Sequence, residues 1–368
     1  MIARSEATPP RSANGDNANN ENANENGRVG ATPRWNANGA TGRVGATPRW
    51  NANDENGRVG ATRFFLRPPS IQAGLKDPAT MKPPKFEYHA PKSLEEALAA
   101  LGRYGGDAKV LAGGQSLMPL LNFRLARPAA LVDLNRIASL AYIREQDGQI
   151  RFGAMTRQRT IEFSSVVAQR LPLLKEATRW VGHLPIRTRG TIGGSIAHAD
   201  PSAEYPAVLA ALEGEVVARG AKGERVIRAA DLFQTYLTTT LAPDEILTEV
   251  RLPAMPAGAG YALEEFARRH GDFAIIGIAA LVVREGQRCK LARLATAGAG
   301  PVPVRLRAAE EILEREGLGD AAVEAAARRA TELVNPDADI HASADYRRHL
   351  TGVLTKRALT RAIGVARG

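Results

Sequence analysis

The sequence predicts an α+β fold. Before residue 253, short apolar runs of strand length alternate with segments that carry helix start and stop signals. A break then falls at Pro253-Ala254-Met255-Pro256-Ala257-Gly258-Ala259-Gly260. Beyond it, three strand-like runs stand as close together as an antiparallel meander requires, and three helical stretches finish the chain.

The elements follow in order. Ser93 opens a helix with a capping box, because Glu96 sits three residues on, and Gly102 is placed to end it. Residues 109–112 read as a short buried strand, Gly113-Gly114 as a turn and 116–123 as a short helical segment. Strands are expected at 130–134 and 149–153, and a helix over 173–182 that ends at Gly182-His183-Leu184-Pro185. A glycine-rich stretch at 190–195 precedes a helix over 205–212 and strands at 215–219 and 246–252. Two prolines and two glycines within eight residues make 253–260 the expected boundary between a domain at 81–254 and another at 259–366. The second holds strands at 261–266, 275–284 and 290–297 and helices at 304–316, 321–334 and 344–365.

Composition narrows the function classes. The 368 residues are 44% hydrophobic and 24% charged, enough for two or three domains with a sizeable core. No run of eighteen apolar residues occurs and no apolar segment marks the N-terminus, so neither a membrane span nor a secretory signal is expected, and the cytoplasm is the expected location. The single cysteine, Cys289, excludes a disulfide framework and any four-cysteine zinc or iron–sulfur site within this chain. Cys289 itself reads as a small buried or half-buried residue. Six histidines without a His-x-x-x-His pair give no metal site. The net charge of +10 raises a nucleic-acid reading, but aromatics are 5% and no Lys/Arg block reaches five, so no nucleic-acid partner is expected.

Residues 1–80 are a different polymer. The segment Gly27–Asn38 returns intact at Gly42–Asn53, and a third copy starts at Gly57 and breaks down after Thr62. A fifteen-residue period is too short for a helical or propeller repeat, and almost no aliphatic content is available to bury, so this tail is expected to be disordered. A translated tandem DNA repeat upstream of the true start would look like this, which makes Met81 the expected start of the working protein. The tail holds ten Lys/Arg and seven Asp/Glu, which leaves 39 against 32, or +7, for the remainder.

The chemistry is concentrated in two glycine loops. The first, Val110-Leu111-Ala112-Gly113-Gly114-Gln115-Ser116-Leu117, joins a strand to a helix. Successive glycines let backbone N–H groups face one concavity and let a phosphate approach closely; Ser116 adds a hydroxyl and the helix its positive end. Alone, the loop reads equally as a turn without a ligand. The second, Arg187 to Ser195, repeats the chemistry in Thr191-Ile192-Gly193-Gly194-Ser195 and leads to His198, Asp200 and Glu204. Two nests about eighty residues apart suggest a diphosphate gripped from two sides, with a dinucleotide such as FAD as the natural ligand. Glu204 is either an acceptor for ribose or adenine groups or a carboxylate that stabilises a helix N-terminus. His198 and His270 are either donors to the ligand or satisfied loop residues. Asp133, twenty residues after Gly113, stands where a Rossmann site places its ribose-binding acid. But Gly-Gly-x-Ser is not Gly-x-Gly-x-x-Gly, and Met118 fills the place of a close-packing glycine. Asp133 therefore reads as a strand-end residue bonded to nearby backbone.

From about Lys82 onward the sequence resembles the FAD-binding medium subunit of the molybdenum hydroxylases, the family of carbon monoxide dehydrogenase and xanthine dehydrogenase. The motifs are Ala112–Leu117, Ile186–Ser195 with His198-Ala199-Asp200-Pro201, and Arg268–Ala274, correctly ordered over about 160 residues. The resemblance implies a two-subdomain FAD-binding module of the PCMH type, followed by a C-terminal domain of a three-stranded antiparallel sheet with helices. It implies that Val110 to Leu117 and Thr191 to Ser195 hold the FAD diphosphate. Glu204 falls where relatives usually place an Asp that binds the ribityl or adenosine part. Val181 would pack against the flavin ring, where some relatives have an aromatic residue. Leu252 and Ile275 would lie near the flavin edge, and some relatives carry Lys at the latter.

No catalytic residue is implied for this chain. Two [2Fe–2S] clusters need eight cysteines, so the clusters and the molybdenum cofactor would sit on partners, a small [2Fe–2S] subunit and a large molybdenum-cofactor subunit. Electrons would leave the FAD for an external acceptor. Two rival readings are a self-contained FAD-dependent NADPH reductase of the same superfamily and a basic nucleic-acid-binding protein that uses its Arg/Asn tail.

Overall fold

The computed structural model describes residues 81–367; the repeat-bearing tail lies outside them. The first subdomain contains β1 (Glu87–His89), α1 (Leu94–Tyr104), β2 (Ala108–Leu111), α2 (Leu117–Asn122) and β3 (Ala130–Asp133). The three strands form a parallel sheet with β3 in the middle, so the ends of β2 and β3 open side by side. The Ser93 hydroxyl accepts from the Glu96 amide, and the Glu96 carboxylate accepts from the Lys92 amide, which completes the capping device. Gly102 does not end α1 as its position suggested. A side chain there would meet open space, so nothing stops the helix from continuing to Gly105, whose φ of +53° ends it.

The second subdomain begins with the hairpin of β4 (Ile143–Gln146) and β5 (Gln149–Gly153). Its two-residue turn, Asp147-Gly148, has positive φ at both positions, the backbone twist such hairpins need. Helices α3 (Gln158–Phe163), α4 (Ser165–Arg170), α5 (Pro172–Trp180), α6 (Leu184–Arg189), α7 (Ile192–His198) and α8 (Glu204–Ala211) follow. Then come β6 (Glu215–Gly220), β7 (Gly223–Arg228), α9 (Ala229–Leu232), β8 (Phe233–Thr235), β9 (Thr238–Thr239) and β10 (Ile246–Pro253). The large sheet is antiparallel in the order β4-β5-β10-β6-β7.

The C-terminal region contains β11 (Gly260–Phe266), β12 (Ile276–Glu285), β13 (Arg288–Ala297), β14 (Val304–Arg305), α10 (Arg307–Glu316), α11 (Asp320–Glu332) and α12 (Ala344–Val365). The three expected antiparallel strands are present, and the two-residue β14 adds an edge where the sequence suggested helix. Strand β12 explains why its sequence is apolar without alternation: both faces are buried. Ala279 and Leu281 join Phe152, Leu173, Val208 and Val250 in the main core. Ile276, Ile278, Ala280 and Val282 face Leu313, Ala326, Leu354 and Leu359 of α10, α11 and α12. Each large side chain so buried contributes about 1.5–3 kcal/mol relative to exposure. At Gly260 a Cβ would fall 1.9 Å from the Ala362 carbonyl oxygen, so only glycine lets α12 ride this close over β11.

Candidate cofactor site

The fold brings the two glycine loops into contact. A Cβ on Gly113 would lie 2.4 Å from the Arg189 carbonyl oxygen and 2.7 Å from the Gly190 Cα. One on Gly194 would lie 3.2 Å from the Ala112 Cβ. Val110 and Leu111 lead into this junction as the end of β2, in register with Val132 and Asp133.

The loops use their glycines differently. In the first, the amides of Gly113, Gly114, Gln115, Ser116 and Leu117 find no acceptor among the described residues. Gly114 adopts φ +74°, a conformation glycine takes without strain. The Gln115 side-chain amide donates to the Gly113 carbonyl at 3.0 Å, and the Ser116 hydroxyl caps nothing. The five residues are half-buried, and a run of amides with no protein acceptor ahead of a helix start is the kind of concavity that takes an anion.

The second loop is not the nest its sequence suggested. Its residues open α7, and its amides are engaged. Ile192 donates to the Thr156 carbonyl at 3.1 Å and Gly193 to the Ala154 carbonyl at 3.0 Å. Gly194 donates to the Thr191 hydroxyl, an N-cap, and Ser195 to the Thr191 carbonyl, both at 3.1 Å. Gly193 is needed because a Cβ there would meet the Ala154 backbone at 2.7 Å. These glycines serve packing and present the positive end of α7, whereas the first loop presents free donors.

Asp133 is engaged as expected of a strand-end residue. Its carboxylate accepts from the Asn135 amide at 2.8 Å and from the Tyr88 hydroxyl at 2.5 Å, which leaves no role as a Rossmann ribose acid.

Glu204 is the first residue of α8 and is 8% exposed. Burial pushes its pKa up, helped by the Asp200 charge and opposed by its own backbone amide and Arg187. Glu265, on β11, is pushed up by burial and by Glu204. Desolvation and a neighbouring carboxylate both favour the protonated form of a carboxyl, so the pair holds its protons more tightly than free carboxyls do. The register brings them together. Ala207, one turn after Glu204, packs against Ala274 and Ala297, while Ala297 pairs with Gly277, which pairs with Glu265.

Val181 ends α5 at 9% exposure. Arg187 holds this turn, donating to the Val181 and Gly182 carbonyls at 3.0 and 3.1 Å and pairing with Glu162 at 3.0 Å. Next to it the rings of Trp180, His270 and His183 stack at 5.7 and 6.4 Å. Burial lowers the His198 pKa and keeps that ring neutral. Leu252 and Ile275 are 1% and 5% exposed, one in the main core and one in the C-terminal core, and no hydrogen bond among the described residues links either to the glycine loops. Cys289 is a free, buried thiol whose pKa burial raises to about 11. Asn135, Arg157, Glu162 and Glu265 carry no local motif that marks them for function in the sequence.

Two family models match in tandem. The FAD binding domain in molybdopterin dehydrogenase matches residues 84–255, and the CO dehydrogenase flavoprotein C-terminal domain matches residues 261–362. Carbon monoxide dehydrogenase medium chain from Hydrogenophaga pseudoflava is 40% identical over 77% of this chain and 98% of its own length. The chain belongs to the FAD-binding medium-subunit family of the molybdenum hydroxylases. A second relative in the family is 6-hydroxypseudooxynicotine dehydrogenase complex subunit alpha from Paenarthrobacter nicotinovorans, 44% identical over 78% of this chain and 97% of the relative. Among solved structures, carbon monoxide dehydrogenase from Hydrogenophaga pseudoflava superposes with a TM-score of 0.76 at 41% identity, covering 77% of this chain and 99% of that one. Quinoline 2-oxidoreductase from Pseudomonas putida 86 gives 0.74 at 36% identity, with the same coverage. As a medium subunit, this chain is an FAD-binding oxidoreductase subunit. The reductase and nucleic-acid readings gain no support. The five free amides and the glycine junction fit a dinucleotide diphosphate. Among the described residues no group of His, Cys, Asp and Glu is placed to hold a metal, and no helix is long and apolar enough to cross a membrane.

Proposed function

We propose that the chain holds FAD at the junction of its glycine loops and passes electrons to an external acceptor. The electrons come from [2Fe–2S] clusters on a small partner subunit, fed by a molybdenum cofactor on a large one. The supporting observation is the row of unengaged amides from Gly113 to Leu117, pressed against the N-terminus of α7. Bound FAD supplies chemistry that joins one-electron centres to two-electron acceptors. The chain's residues bind and orient. The Gly113–Leu117 amides and the Ser116 hydroxyl donate to the diphosphate. Thr191, Ile192, Gly193, Gly194 and Ser195 fix the second wall. Glu204 contributes a carboxyl to the ribityl or adenosine hydroxyls, and its burial raises its pKa and so favours the protonated form. Val181, steadied by Arg187, offers an apolar surface to the ring.

The clusters belong elsewhere because one buried thiol cannot ligate them. Substrate choice belongs elsewhere too: similar chains 36–44% identical carry names for carbon monoxide, caffeine, nicotine and 6-hydroxypseudooxynicotine. The test is the absorbance spectrum of the purified full chain, with the released chromophore identified by mass. A flavin spectrum with FAD near one per chain is expected. A chain that stays colourless with added FAD overturns the reading, and substrate turnover by this chain alone overturns the subunit assignment.

A further inference from the structure

We infer that Asn135 and Arg157 form a polar strap that sets the gap between the glycine loops and aims the Gly113 amide at the diphosphate, an inference that rests on the FAD reading above. Neither residue lies in a glycine motif. Asn135 sits in the turn after β3, where its Nδ2 donates to the Ala112 carbonyl at 2.9 Å and its Oδ1 accepts from Arg157 at 2.6 Å. The other terminal nitrogen of Arg157 donates to the Arg189 carbonyl. A continuous path thus runs from the first loop, through Asn135 and Arg157, to the second.

Each end has a consequence. In a trans peptide the carbonyl and the following N–H point in opposite directions. Tethering the Ala112 oxygen to Asn135 therefore turns the Gly113 N–H away from the strap, among the free donors. The Arg189 oxygen is the atom that a Cβ on Gly113 would strike at 2.4 Å. Arg157 therefore holds the carbonyl that sets the closest approach of the two loops. The strap is anchored behind by Asp133, which bonds both the amide and the side chain of Asn135, and by a β-bridge between Arg157 and Thr191. Arg157 is half-buried; burial and the nearby Arg189 lower its pKa, yet a guanidinium stays charged. Its planar fork reaches two acceptors at once, which a lysine ammonium cannot do in the same geometry.

The test titrates the full chain and its Arg157→Met, Arg157→Lys and Asn135→Ala variants with FAD, ADP and riboflavin, and records the ligand-free melting temperature. ADP carries the diphosphate without the ring, and riboflavin the ring without phosphate. FAD and ADP affinities are expected to fall about ten-fold or more in Arg157→Met and Asn135→Ala, with riboflavin within about two-fold of wild type and no rescue by lysine. ADP binding that survives both substitutions overturns the strap. So does an equal loss of ADP and riboflavin, which marks general loosening. Should Arg157→Met fail to fold, Asn135→Ala, on an exposed turn, decides. A wild-type chain that binds neither FAD nor ADP defeats the FAD reading itself, an outcome distinct from a wild-type chain that binds both while its variants are unchanged.

Discussion

The two glycine loops share a Gly-Gly-x-Ser or Gly-Gly-Ser core and touch each other, but their backbones are bonded differently. Among the described residues, Ala112–Leu117 leaves the five amides from Gly113 to Leu117 without acceptors, whereas Thr191–Ser195 spends four on the Thr156 and Ala154 carbonyls and on Thr191. The first leaves its donors unengaged; the second is closed on the protein. A glycine pair in a sequence therefore signals close approach of something, and the backbone accounting decides whether that is a ligand or another piece of chain.

This contrast predicts separable phenotypes. The largest expected effect is on stability from the closed loop: Gly193→Ala forces a Cβ into the Ala154 backbone and should cost about 2–3 kcal/mol, read as a lower melting temperature of the ligand-free chain. An unchanged melting temperature would mean that the two loops are equivalent after all. Next, Thr191→Val removes the cap on Gly194 and should cost about 1 kcal/mol in the same assay. Ser116→Ala in the open loop should weaken FAD binding by about five-fold, the loss of one hydrogen bond, while the ligand-free melting temperature stays put. A fall in that temperature would show that Ser116 supports the fold.

The smallest effect is on pH dependence. Glu204 and Glu265 have pKa values raised by burial above those of the unfolded chain, so the folded state binds protons more tightly and stability declines as pH rises through the raised range. Glu265→Gln should flatten the decline between slightly acidic and alkaline pH. A slope as steep as wild type would remove Glu265 from the pair.

Much of this was legible in the sequence, and the exceptions have physical reasons. The strand at 149–153, the helix at 344–365 and the capping box at Ser93 emerged because local signals set them. Strand β4 was overlooked, although Asp147-Gly148 carries the hairpin signal, because its residues are half-buried or exposed and it lacks an apolar run. The stop at Gly102 was misplaced because a glycine on an exposed helix face is tolerated, while Gly105 meets the positive φ. At the site, glycines and hydroxyls were visible as a motif. The closure of the second loop was hidden, because its acceptors lie on Ala154 and Thr156, some forty residues upstream. Asn135, Arg157 and Glu265 were hidden for the same reason: their partners are set by tertiary packing.

The burial of β12 on both faces has a consequence for synthesis. Its inner face completes the core beneath the cofactor-binding region, and its outer face is covered by helices that end the chain. The amide of Arg367, the last described residue, bonds back to the Gly258 carbonyl at 2.8 Å. A nascent chain that has released only the first two subdomains from the ribosome would expose the side of that core which Ala279, Leu281 and Ala295 later cover. Completion of that core is therefore expected to wait for the C-terminal strands and helices. Any truncation near the end of the final helix should show first as flavin-poor, aggregation-prone protein rather than as a stable shortened subunit.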